Sequence, residues 1–183
     1  MTAAERINIG GDYSFAAIQA LNGSLYIDSD SDQNGDGLIS VANSSSLLSA
    51  FENLTIGNTN LSAINFVGTI LTVGQELSAY ASSELVFQDV TIEVVGDTTL
   101  SAQGRVLLEE GELISSGSVI NLISDADNTL GETDIIELSG DLAMQVEDGS
   151  IQMTGVAAEI NEDVSLVALL VTINGEPVGT PAI

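Results

Sequence analysis

Residues 96–155 read as a run of short units: GDTTLSAQ (96–103), GRVLLEE (104–110), GELISS (111–116), GSVINLISDADNTLG (117–131), ETDIIELS (132–139), GDLAMQVE (140–147) and DGSIQMTG (148–155). Most units open on Gly or Asp, residues that suit turns. Each then runs through three to five strand-forming residues. Apolar positions alternate inside the strands: Val106 with Leu108, Ile120 with Leu122, Ile136 with Leu138, Met144 with Val146, Ile151 with Met153. A period of two sends one face of every strand into a core. Units of seven to eight residues are shorter than the eight-to-twelve-residue recurrence of a sandwich. Two or three such units make one coil of a parallel β-solenoid, in which coils stack and aliphatic side chains fill the interior. The expected fold is therefore all-β, a parallel β-helix, with an antiparallel β-sandwich as the alternative.

Working outward, the same pattern recurs near the amino terminus. GSLYIDSDSDQNGDGLISV starts at Gly23 and GSVINLISDADNTLGETDII at Gly117. Both run Gly-Ser, strand, Ser-Asp-x-Asp, a Gly-containing loop and a second strand. The Asp30/Asp32 pair stands 95 residues before Asp125/Asp127, the length of four coils of about 24 residues. Residues 44–90 are less regular, and SSSLLSAFENLTI resembles a short helix or a lateral excursion. The only prolines are Pro177 and Pro181. Excluding Pro from the preceding chain suits strands paired on both edges. Residues 1–176 are expected to form one solenoid domain. The piece from 164 onward reads as a last strand, then a Pro-containing tail or linker stub over 177–183.

Composition excludes several chemistries. The 183 residues carry 27 acids against two bases, Arg6 and Arg105, for a formal charge of −25, with no His, Cys, Lys or Trp. Thiolate or histidine metal sites, disulfides, Ser-His-Asp or Cys-His nucleophiles and Schiff-base lysines are all impossible. Phosphate backbones and anionic membranes are poor partners for such a surface. Yet 44% of residues are hydrophobic, too many for a disordered acidic tail. The chain folds and needs salt or bound cations to offset self-repulsion. That balance fits an extracellular or cell-surface setting first and a cytosol of high salt second. No apolar run is long enough to span a bilayer as a helix. The start MTAAERINIGG lacks the apolar core of a signal peptide, so an exported form is expected to be a mature piece or a fragment.

GDLAMQVEDGSIQMTG and GSVINLISDADNTLG resemble the repeats of filamentous-haemagglutinin-like exoproteins, secreted adhesins of two-partner secretion. The likeness covers about residues 90–160 and 20–45. It implies a right-handed parallel β-helix within a surface-exposed adhesive stalk. The Asn-Pro motifs of that family's secretion domain are absent here, so the likeness is to shaft.

The sharpest local signal is DSDSDQNGDGLISVAN, Asp28 to Asn43. From Asp32 it reads D-x-N-x-D-G-x-I-S. Alternate oxygens of Asp32, Asn34 and Asp36 can converge on one hard cation, Gly37 permits the turn, and Ile39 starts the strand behind it. The twelfth position of a helix-flanked calcium loop would be Glu, and here it is Asn43. Asp28 and Asp30 can supply the missing carboxylates. Ca²⁺ is thus the expected ligand, against the alternative of a solvated acidic turn. Asp125 and Asp127, with Asn128 and Glu132, form a weaker copy. Glu109, Glu110 and Glu112 could serve as glycosidase carboxylates, but a solvent-facing cluster near Arg105 is the simpler reading. Gly-Asp pairs at 11–12, 96–97 and 140–141 read as turn chemistry. No catalytic residue is expected. The function read from these features is a non-enzymatic adhesive or structural module. Its expected partners are a host or neighbouring-cell surface, glycans, or copies of itself as a filament.

Overall fold

A computed structural model describes residues 6–9, 17–29, 37–58, 60–125 and 134–178. The strands among them are β1 (Arg6–Ile9), β2 (Ala17–Ala20), β3 (Leu25–Ile27), β4 (Leu38–Ala50), β5 (Leu54–Gly57), β6 (Ala63–Val73), β7 (Leu77–Ala81), β8 (Glu84–Val94) and β9 (Thr98–Ala102). They continue as β10 (Arg105–Ser115), β11 (Val119–Ile123), β12 (Ile135–Val146), β13 (Ser150–Thr154), β14 (Ala157–Ile160), β15 (Ser165–Val167), β16 (Leu170–Ile173) and β17 (Glu176–Pro177). No described residue is helical.

Long and short strands alternate along the chain, and like pairs with like. The short strands β3, β5, β7, β9, β11, β13 and β16 form one parallel sheet, and the long strands with β1, β2, β14 and β15 form the other. The chain is a β-solenoid of about six turns. At a coil spacing of about 4.8 Å, six steps span roughly 29 Å. Among the described residues the single antiparallel pairing is β16 with β17. That rules out the sandwich alternative, which requires antiparallel neighbours throughout.

Each long strand is bent into two limbs, so each coil has three sides. The bend falls where the backbone turns left-handed: Gly68, Asp89, Glu110 followed by Gly111, and Gly140. The ladder between β10 and β12 shifts register across Glu109/Gly111, the mark of a β-bulge. In the first and last coils the two limbs are separate strands. β1 and β2 both pair with β4, and β14 and β15 both pair with β12.

The alternating residues fill the interior as expected. Val106, Ile120, Leu122, Ile136, Leu138, Met144 and Ile151 are all fully buried. Among the described residues, Phe66 and Phe87 bring aromatic rings into it. They stack between neighbouring coils with centroids 5.2 Å apart and planes at 16°. Where the second limb turns into the short strand, the backbones of Gly96 and Gly117 approach the coil before them closely. A Cβ on Gly117 would lie 2.3 Å from the carbonyl carbon of Gly96 in the coil before.

Two expectations need correction. SSSLLSAFENLTI is neither helix nor excursion: Ser46–Ala50 are the second limb of β4, Phe51–Asn53 turn the corner, and β5 follows. The serines interrupt the apolar alternation, but β2 and β6 hydrogen-bond to this limb from either side and hold it extended. Residues 164–177 are not one strand but three, β15, β16 and β17. Asn174 and Gly175 both have positive φ and close a hairpin, as Asn-Gly pairs favour. Pro177 sits on the outer edge strand, where a missing donor does no harm. Residues 179–183 lie outside the described residues.

Candidate functional site

Registered partners carry Leu25 to Leu54, Leu77, Thr98 and then Ile120. Residues 25 and 120 are 95 positions and four coils apart, so the long-range echo in the sequence is a real repeat of position. The two acidic insertions, after Ile27 and after Ile123, leave the solenoid at the same corner. In the coils between them that corner is only a few residues long, such as Ser82–Ser83 and Gln103–Gly104.

Asp28 is where the first insertion departs. It is only 6% exposed. Its carboxylate accepts hydrogen bonds from the Tyr26 hydroxyl (3.0 Å) and from Nδ2 of Asn58 in the next coil (2.9 Å). Asn58 Oδ1 in turn accepts from the backbone N–H groups of Asn60 and Leu61. Burial, then the hydrogen bond and charge of Asp28, push the Tyr26 phenol above its ordinary pKa. Asp28 is therefore an anchor that ties the root of the insertion to the following coil. Next to it, Ser29 is fully buried, and its Oγ has no hydrogen-bond partner among the described residues. Ile39, at the far end of the insertion, is fully buried as expected.

Asp30, Asp32, Asn34 and Asp36 lie outside the described residues, and so does Asp127. Asp125 is half-buried where the second insertion departs, and Asp134 is buried where it returns. Ser124, fully buried, also has an Oγ without a partner. Gly155 packs directly over it: a Cβ there would lie 1.9 Å from that oxygen. Thus Ser29 and Ser124 stand at equivalent positions four coils apart, with Asp28 just before the first and Asp125 just after the second. Among the described residues no three acidic side chains converge as a metal site would require.

No family model, curated protein or solved structure matches this chain.

The other acidic groups are spread out by the fold. The bend at Glu110 and Gly111 puts Glu109 on the first limb of β10 and Glu112 on the second. Gln88 Nε2 donates to Glu109 from the coil before. Arg105 does not serve these glutamates. Its Nη2 and Nε both bond Glu137 Oε2, at 2.6 and 3.1 Å. Asp97 of the Gly96–Asp97 pair accepts from the backbone N–H groups of Ser118 and Val119, 2.7 and 3.0 Å away, which is turn stabilisation between coils. Gly140 lies at the bend of β12, and Gly11–Asp12 fall outside the described residues. By contrast the seven parallel short strands hold no Asp, Glu, Arg or Lys. Their outward register column runs Tyr26, Thr55, Ser78, Thr99, Asn121, Gln152.

Asn58 and Tyr26 were not among the expected site residues. Asn58 stands 30 positions from Asp28, and no local spacing links them. For Tyr26 the signal is its place two residues before Asp28.

Proposed function

We propose that this chain is a non-enzymatic structural or adhesive module of a larger extracellular or cell-surface protein, stabilised by Ca²⁺ at its acidic insertions. The observation that carries this reading is the pair of Asp-rich insertions leaving one corner of a rigid parallel stack four coils apart. A solenoid is quasi-one-dimensional and holds its loops at fixed spacings. Flexible loops with several oxygen donors suit Ca²⁺ better than Mg²⁺. The charge-free, hydroxyl- and amide-bearing face of the short-strand sheet supports contact with neutral glycans on a host or neighbouring cell. Binding of this kind needs no reactive side chain.

A melt in EDTA, in millimolar CaCl2 and in matched MgCl2 tests the calcium part. A calcium-specific rise in Tm that disappears in the Asp32→Ala, Asp36→Ala double variant supports it. Equal melting in all three solutions rejects it, because a ligand stabilises only by preferring the folded chain.

A filament of end-to-end copies is the second reading, and the carboxy-terminal coil favours it. No described strand pairs with the outer edges of β14 and β15, and an unpaired edge is a template for another strand. Ile160, Leu166 and Val171 pack on the core there yet are only partly buried. Scattering that rises with protein concentration, without loss of secondary structure, would favour this reading over an isolated shaft segment.

A further inference from the structure

We propose that a second copy of this chain packs antiparallel against the corner ridge formed by Leu21, Phe51, Gly74 and Val95. Hydrogen bonds from Phe51 N to Ala20 O, Gly74 N to Ala50 O and Val95 N to Val73 O stack these four residues in consecutive coils. Leu21 is 72% exposed, Phe51 66% and Val95 62%. Large apolar side chains scattered singly on a surface mean little, but a contiguous set marks an interaction site. Gly74 opens a groove of about 480 Å³ between Phe51 and Val95, and none of the residues lining it is charged. On a chain of charge −25, an uncharged groove lowers the repulsion that a like molecule meets.

The order of the residues selects the partner. Consider a twofold axis lying in the interface, perpendicular to the solenoid axis and level with the gap between Phe51 and Gly74. It sets each Phe51 over the groove at the partner's Gly74, and each Leu21 against the partner's Val95. In the adjoining outward column of the second limb, Gln19, Ser49, Thr72 and Glu93, Gln19 meets the partner's Glu93, an amide against a carboxylate. One outward column further, Leu47 and Ile70 are registered neighbours, and Leu47 pairs with the partner's Ile70. A twofold axis parallel to the solenoid would instead set Phe51 against the partner's Phe51 and leave the groove at Gly74 facing its own copy. The surface is self-complementary in the antiparallel sense, the requirement for an isologous dimer.

Four coils give a contact about 19 Å long, well below the ~800 Å² per partner of a standard interface. The dimer is accordingly weak, with a Kd on the order of 100 µM, and it tightens as salt screens the two negative molecules.

Sedimentation from about 10 µM to 1 mM protein, in about 0.5 M NaCl with EDTA, tests the proposal without involving calcium. A monomer–dimer equilibrium is expected, weakened at least ~10-fold by Phe51→Glu and by Val95→Glu. Both side chains are exposed, so the variants should keep the wild-type circular dichroism spectrum. The chain has no cysteine, so oxidising a mixture of Leu21→Cys and Val95→Cys reports orientation. The mixed disulfide should outpace either homodimer. A monomer at every concentration, a dimer indifferent to both Glu variants, or faster Leu21→Cys homodimers would each overturn it. So would a persistent monomer that binds neutral phosphatidylcholine vesicles through Phe51, which would assign the ridge to lipid.

Discussion

Asn58 reaches back across one coil to hold Asp28, its Nδ2 2.9 Å from Oδ1. The bond closes the root of the first insertion independently of what the acidic residues beyond it bind. Removing the buried carboxylate takes the acceptor from the half-buried Asn58 amide and from Tyr26, whose 44% exposed side chain can turn to water. Asp28→Ala is expected to cost about 1–3 kcal/mol in urea unfolding, with Asp28→Asn losing less because an amide oxygen can still accept from Asn58. A loss within error for the Ala variant would show that the anchor is dispensable.

Tyr26 reports the same root through pH. Its pKa is raised in the folded chain, so the neutral phenol is the form that the fold favours. The associated stability is fully present below the ordinary tyrosine value of about 10 and is lost as pH rises through the folded value. Alkaline titration followed by phenolate absorbance should show one late-ionising tyrosine that is missing in Tyr26→Phe. The variant's melting temperature should also fall less steeply at alkaline pH than that of the parent.

The close approach at Gly117 predicts a sharp local intolerance. A methyl group there would overlap the backbone of Gly96, which cannot rotate away. Gly117→Ala should destabilise by about 1–3 kcal/mol or more through overpacking. Ser116→Ala, one residue earlier and exposed, should stay within about 0.5 kcal/mol. Similar denaturation midpoints for the two would mean that the coils can spread apart at this corner.

Arg105 and Glu137 are a short ion pair, but their side chains are 39% and 36% exposed. The pair itself should contribute less than about 1 kcal/mol. Glu137 also stands in register with Glu159, so Arg105→Gln leaves like charges facing each other. The variant should melt slightly below the parent at low ionic strength and match it near 1 M NaCl, where the screening length is about 3 Å. A loss that persists at high salt would point to packing of the arginine stem instead.

Much of this architecture is legible in the sequence because a solenoid repeats its local rules. Val106 and Leu108, or Ile151 and Met153, announce their burial by alternation alone. The four-coil echo is visible because both insertions carry Ser-Asp-x-Asp at one coil position. What escapes is decided by neighbours distant in the chain. Ser46–Ala50 are extended because β2 and β6 flank them, and a serine run says nothing of that. The bends at Asp89 and Glu110 each divide one apparent strand into two sides; Asp89 is a residue type that suits a turn, but Glu110 is not. The Asn174–Gly175 hairpin, in contrast, carries a plain local signal that reading 164–183 as a strand and tail overlooks. The acids nominated as calcium ligands in the first insertion lie, apart from Asp28, outside the described residues. Sequence therefore still carries that part of the site alone.

Successive coils of the short-strand sheet advance by as few as 20 residues, from Ile151 to Val171, and as many as 31, from Ile120 to Ile151, with no break in the ladder. Length added at the corner after the short strand is absorbed there and never reaches the next rung. Lengthening a loop costs little once its ends are fixed by the fold. The corner at Gln103–Gly104 should thus accept a foreign peptide as readily as its neighbour accommodates residues 125–134. The scaffold and its cargo can then change independently, the stack constrained rung by rung and the insertions free to diverge.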